Sequence, residues 1–187
     1  MKTLHYRRHS KKDPDNTLSR GGIHLAVQEG SKAWHYNYRH LFHGPLVRTA
    51  QTALAFCKGL GYVPEIMPVV HEIGTDELFA EIATSEFWRA VEGGASYFQA
   101  LLVAHDETKA QEWAGPIAES IHKMLDDIDD NQTAIVFGHS PVIELAAWII
   151  LGFKLPEGHD RLDEMEGIVF ATDDVGKICS GPKITVD

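Results

Sequence analysis

Two arginines and two histidines stand out in this sequence because of where they fall. Arg8 and His9 follow a short apolar run and enter a polar loop. Arg48 sits in the first turn of a stretch with helical spacing, and His139 ends a continuous apolar run just before Ser140-Pro141. All three places mark the end of a strand or the start of a helix. In open α/β sheets the ligand crevice lies beyond the carboxyl ends of the strands. Helix N-termini there present free N–H groups and a partial positive charge. Two arginines and two histidines on that rim would make a phosphate pocket, because guanidinium forks match phosphate oxygens in pairs and stay charged. Taken singly, an Arg-His pair is often surface decoration and Gly-His-Ser-Pro a capped turn. Their order along the chain is the stronger signal.

The elements that would position these residues alternate between strand and helix. Thr3–Tyr6 reads as a first strand, followed by a loop over Lys11–Arg20 and a helix capped by Ser19 and ending at Gly30. Arg39–His43 reads as a second strand. Pro45 suits the first position of the next helix, whose apolar residues run from Leu46 to Cys57 and which stops at Gly59 and Gly61. Glu65–Val70 reads as an edge strand, since Pro68 donates no ladder hydrogen bond. Residues 75–130 are mostly helical, with a kink or break expected at Pro116. Thr133–Phe137 is the expected central strand, buried on both faces. Ser140 and Pro141 read as cap and first residue of a helix to Leu151, and Gly167–Thr172 with Gly176–Cys179 as a closing hairpin. The pattern predicts one α/β domain over 1–187: a three-layer α/β/α sandwich with a mostly parallel sheet and a helical insertion at about 75–130.

In this order the motifs resemble those of the histidine phosphatase superfamily, also called phosphoglycerate mutase-like. Arg8-His9-Ser10 looks like the family's Arg-His-Gly. Gly44-Pro45-Leu46-Val47-Arg48-Thr49-Ala50-Gln51-Thr52 looks like its Ser-Pro-x-x-Arg-x-x-Gln-Thr, and Gly138-His139 like its third signature. The resemblance spans nearly the whole chain and is nearest to small phosphatases of the short phosphohistidine phosphatase type. It implies that His9 is a nucleophile forming a phosphohistidine. Arg8, Arg48 and His139 would hold the phosphoryl oxygens, and no metal or other cofactor is called for. It also implies a proton donor soon after the third strand. Glu72 matches that position best, with Asp76 and Glu77 as alternatives. Two residues depart from the pattern. Ser10 replaces a glycine and would donate to the phosphate or narrow the pocket, and Gly44 replaces a serine. The expected activity is hydrolysis of a phosphomonoester or phosphoramidate, on a small phosphorylated substrate or a phosphohistidine protein. The alternatives are a catalytically weak phosphate-binding or partner-binding relative and a mutase-type phosphotransferase.

Composition narrows the setting. The 187 residues carry 17 lysines and arginines against 27 acids, a net charge of −10. That balance argues against a nucleic-acid or anionic-membrane surface. Cys57 and Cys179 form no paired motif, and the sequence shows no apolar leader or spanning segment, so a reduced, cytoplasmic protein is expected. Eleven histidines are many for an acidic chain. His35, His40 and His43 match no zinc spacing. His71 could line the pocket beside Glu72, and the remaining histidines call for no special role. Phe79, Phe87, Trp88 and Tyr97 either build a lid over the pocket or pack as core. The sequence carries no signal for an oligomeric state.

Overall fold

The computed structural model describes residues 1–186. Its strands form one sheet in the order β3-β2-β4-β1-β5-β6. These are β1 (Thr3–Arg8), β2 (His40–His43), β3 (Glu65–Ile66), β4 (Thr133–Gly138), β5 (Gly167–Thr172) and β6 (Ile178–Ile184). The pairs β1/β4, β2/β4 and β2/β3 are parallel, while β5 and β6 close one side antiparallel. The uninterrupted apolar run of β4 fits its place between two parallel neighbours, where both faces are covered. The third strand lies at the edge and spans only Glu65–Ile66, ending before Pro68, shorter than the 65–70 expected.

Side chains alternate across the sheet with the period of two. Leu4, Tyr6, Ala134 and Val136 face a core shared with helices α6 (Glu107–Asp126) and α7 (Val142–Ile150). Leu41, Ile135 and Phe137 face a second core under helices α1 (Arg20–Lys32) and α2 (Val47–Leu60). The result is the three-layer α/β/α arrangement with a mostly parallel sheet. Helices α1 and α2 meet backbone to backbone: a Cβ on Gly30 would lie 2.1 Å from the Phe56 carbonyl oxygen, and one on Gly59 would lie 2.0 Å from that of Val27. Gly59 is therefore a packing residue inside α2, and the helix ends only at Gly61, whose φ of 76° suits a left-handed cap.

Several boundaries differ from the sequence reading. The inserted segment is three short helices, α3 (Asp76–Ile82), α4 (Ser85–Glu92) and α5 (Tyr97–Ala104), capped by Thr75, Thr84 and Ser96. The long α6 belongs instead to the sandwich, packed on α7, and it runs unbroken through Pro116. Helix α2 begins at Val47 with Leu46 as its cap, so Pro45 precedes the helix. Pro141 occupies the cap of α7, and the Ser140 hydroxyl donates to Glu144. No helix among the described residues is long and apolar enough to cross a membrane.

Candidate active site

Parallel register brings the chemistry together. Arg8 pairs with Gly138 across β1 and β4, and His43 pairs with Phe137 across β2 and β4. The chain therefore leaves three neighbouring strands at one edge, carrying His9, His139 and the segment that leads into Arg48. The His9 N–H donates to the Gly138 carbonyl at 2.9 Å, and the rings of His9 and His139 stand 4.9 Å apart. Arg48, in the first turn of α2, donates its Nε–H to His9 Nε2 at 3.3 Å.

The backbone around His9 is tied down from three sides. The Ser10 N–H donates to Thr52 Oγ1 at 3.1 Å, and Thr52 in turn donates to the Arg48 carbonyl at 2.7 Å. Gln51 accepts the Leu18 N–H at 2.6 Å. The Gln-Thr pair of the second motif thus anchors the loop that follows the nucleophile position. Ser10 is fully buried, and its hydroxyl donates to the Gly22 carbonyl in α1 at 2.9 Å. The Ser10 hydroxyl, expected to serve the phosphate, thus has its proton committed to helix α1. Gly44 lies in the turn before α2, and a Cβ there would meet only ordinary contacts, the nearest 3.4 Å away. Its lack of a side chain is not demanded by packing.

His9 Nδ1 lies 2.6 Å from the Ser10 carbonyl oxygen, so Nδ1 carries the proton and donates it. Nε2 is then the lone-pair nitrogen. Burial pulls the His9 pKa down to about 3; the bond to Ser10 opposes this, and Arg48, Arg8 and Lys12 add to it. The ring is neutral at physiological pH. His139 is buried too and held well below its ordinary value, first by burial, then by His9 and the cations. Neither of its ring nitrogens has a hydrogen-bond partner among the described residues. Leaving such groups unpaired costs about 1–3 kcal/mol each, which a phosphoryl oxygen would recover. The ring is wedged between His9 and Phe79, 5.0 Å away, and against the backbone of Gly74. A Cβ at Gly74 would come 2.8 Å from His139 Cδ2, and its φ of 126° already favours glycine. Gly74 is thus a site residue that the sequence motifs did not flag.

Arg8 is held less tightly to the histidines. Its Nη1 donates to the Leu162 carbonyl at 2.6 Å, and its guanidinium lies 5.2 Å from the Tyr97 ring centroid. Arg48 lies 5.8 Å from the Phe79 ring. Of the four aromatics considered as a lid, Phe79 and Tyr97 reach the site, Phe87 is buried in the core and Trp88 is 45% exposed. Lys12 also belongs here. Burial and the charges of Arg48 and Arg8 lower its pKa, while Asp76 opposes them.

Glu72, the first choice of proton donor, lines a cleft in which none of His9, Arg48 and His139 takes part. It sits in a short 3-10 turn, His71–Ile73, whose Ile73 side chain takes the buried direction. Glu72 and His71 are left facing a separate cleft of about 400 Å³ against α6, lined also by Lys123 and Asp127. Asp76 is the carboxylate that acts electrostatically on both Arg48 and Lys12. His35, His40 and His43 do not converge: His35 packs on Tyr36, His40 lies 3.5 Å from Glu65, and His43 bonds the Gly44 carbonyl.

A model of the histidine phosphatase superfamily (branch 1) matches residues 3–165. The chain belongs to this superfamily. Structural likeness to other histidine phosphatase folds is close in shape and distant in sequence. Phosphoserine phosphatase from Entamoeba histolytica, in complex with 3-phosphoglyceric acid, superposes with a TM-score of 0.69 at 14% identity, covering 100% of this chain and 98% of that one. Phosphoglycerate mutase from Bacillus anthracis str. Sterne gives 0.67 at 14% identity, with 96% and 91% covered. The protein histidine phosphatase SixA complexed with tungstate gives 0.61 at 12% identity, with 98% and 96% covered. No curated protein matches the sequence.

One buried acid near the superfamily motifs was not anticipated. Glu144, in the first turn of α7, is fully buried and accepts the Ser140 hydroxyl. Burial pushes its carboxyl up to about 7, with Ser140 and Arg8 opposing the rise. Its second oxygen has no partner among the described residues. A carboxyl whose folded pKa is raised loses stability as pH climbs from its ordinary 4.5 through 7, because the unfolded chain releases the proton first. Glu144→Gln should remove that dependence. Urea midpoints at pH 5 and pH 8 should show the variant gaining on the wild type at the higher pH by on the order of 3 kcal/mol. An equal difference at both pH values would contradict a buried, neutral Glu144.

Proposed function

We propose that the chain is a metal-independent phosphatase that hydrolyses a phosphomonoester or phosphoramidate through phosphohistidine at His9. The observation that carries this reading is the hydrogen bond from His9 Nδ1–H to the Ser10 carbonyl. It leaves the Nε2 lone pair among Arg48, Arg8 and His139. A neutral imidazole with its proton committed at Nδ1 and its Nε2 lone pair facing the arginines, where only a long contact from Arg48 Nε–H at 3.3 Å engages it, is a nucleophile in the correct tautomer.

In the first half-reaction Nε2 attacks phosphorus and the bond to the leaving group breaks. Arg8 and Arg48 hold the phosphoryl oxygens with fixed positive charge, and a His139 N–H donates to one of them. Asp76 gives its proton to the departing oxygen or nitrogen. In the second half-reaction water attacks phosphorus, the P–N bond breaks, and Asp76 takes the proton of the water. The guanidinium groups supply the charge compensation that a metal would otherwise provide. A small phosphorylated molecule or a phosphohistidine protein is the substrate class, and an intracellular setting suits two free cysteines, Cys57 and Cys179.

Acid-quenched turnover of a ³²P-labelled phosphoester in the presence of EDTA should leave an acid-labile, base-stable adduct on the wild type and none on His9→Ala. A stable adduct on the variant would place the nucleophile elsewhere. The proton donor has its own signature. Asp76→Asn should lower kcat about 10²–10⁴-fold on alkyl phosphates and far less on p-nitrophenyl phosphate, whose leaving group needs no proton. Glu72→Gln should stay within about threefold on both. The opposite pattern would return the acid role to Glu72.

A further inference from the structure

Beneath the turn that carries His139 lies a polar layer that the catalytic reading does not use. Side chains alternate along β1, so Tyr6 and Arg8 take the same face of the sheet, the face that packs on α7. Arg8 and Ser140 line one cavity there. Glu144 enters the layer from the first turn of α7, fully buried, with its carboxyl accepting the Ser140 hydroxyl. Tyr6 is fully buried too, and a Cβ on Gly138 would lie 2.5 Å from its hydroxyl oxygen, so the phenol reaches the residue before His139. Neither Glu144 Oε2 nor the Tyr6 hydroxyl has a hydrogen-bond partner among the described residues.

Few charges face this carboxyl. Arg8 and Tyr6 come from β1, and Asp160 from the loop after α7. His139, one residue before Ser140, is held neutral. Helices α5 and α6 and strands β5 and β6 contribute apolar side chains to the core around α7, among them Phe98, Ile117, Ile168 and Ile178. Arg8 is therefore the cation that acts on Glu144, and its own fixed partners are only the Leu162 carbonyl and the Tyr97 ring. A protonated Glu144 leaves the Arg8 charge to a phosphoryl group. An ionised one draws on the same guanidinium and sets a negative charge beneath an incoming anion, in an interior where water screens little.

We infer that Glu144 is a positioning residue for the phosphoryl site: as the neutral acid it leaves Arg8 to the phosphoryl oxygens, and as the carboxylate it competes with them. Burial raises its pKa to about 7, so the change falls near neutrality and kcat/KM declines as pH rises through that range. Linkage runs both ways: an anion held by Arg8 favours the neutral acid, so its binding above pH 7 takes up a proton at Glu144. The effect on turnover rests on the phosphatase reading; the proton uptake does not.

Wild type and Glu144→Gln are compared on p-nitrophenyl phosphate from pH 5.5 to 8.5, where ionisation of the substrate and of Asp76 cancels in the ratio of the two. That ratio of kcat/KM, variant over wild type, should rise about tenfold across the range. A ratio of any size that stays constant with pH would leave Glu144 a structural residue and overturn the inference. Ser140→Ala gives a second test. The hydroxyl bond favours the carboxylate, so its loss should move the alkaline decline of kcat/KM to higher pH, and a decline that stays in place or moves lower would contradict the role. Titration calorimetry of sulfate at pH 8, in two buffers of different ionisation enthalpy, counts protons without turnover. The wild type should take up more protons than Glu144→Gln, and equal uptake would overturn the inference even if the phosphatase reading stands. Uptake lost in Glu144→Gln, in a protein that hydrolyses no ester, would refute the phosphatase and keep the coupling of Glu144 to the anion site.

Discussion

The whole site hangs on the parallel pairing of β1 with β4. Register places Arg8 opposite Gly138, and one further residue on each strand delivers His9 and His139 to the same edge. A slip by one residue would turn every side chain of β1 to the other face. Both cores oppose such a slip: Leu4 and Tyr6 belong to one, while His5 and Arg7 look toward α1 and α2, where Arg7 meets Glu29 and His5 meets Tyr38. The energy of two hydrophobic layers is thus spent on holding two imidazoles within 5 Å of each other.

That proximity decides the electrostatics. Two buried histidines lie beside a buried Arg48 and a partly buried Arg8 in a chain of net charge −10. Protonating either ring would bury a further positive charge beside the guanidiniums, so both rings are driven neutral, with desolvation the larger cause. Neutral imidazoles and charged guanidiniums are the combination that an anionic electrophile requires: a lone pair to attack phosphorus and cations to hold its oxygens. The acidic surface and the basic pocket coexist because the field of the pocket is local, set within a few ångströms by groups that face one another.

The sheet, its layers and the three motif positions were legible in the sequence, since each rests on a local signal. An apolar run, a capping serine at position 19 and the arginine-histidine spacing all lie within a few residues. What could not be read depended on contacts across the fold. Glu72 and Asp76 are four residues apart, yet Glu72 lines the cleft against α6 while the charge of Asp76 acts on Arg48. Nothing local to Ser10 marks the bond its hydroxyl makes to the Gly22 carbonyl of α1, 2.9 Å away. Gly74 and Glu144 carry no motif; they matter because one abuts His139 and the other lies buried beneath Ser140.

His9 stands ready as a neutral imidazole with its proton on Nδ1 and its lone pair on Nε2. Nitrogen-15 chemical shifts of selectively labelled histidine, assigned by comparison with His9→Ala, read both properties directly. The neutral Nδ1–H tautomer should persist from pH 8 to below pH 5. A ring that titrates near its ordinary value of 6.5, or one that carries its proton on Nε2, would contradict it.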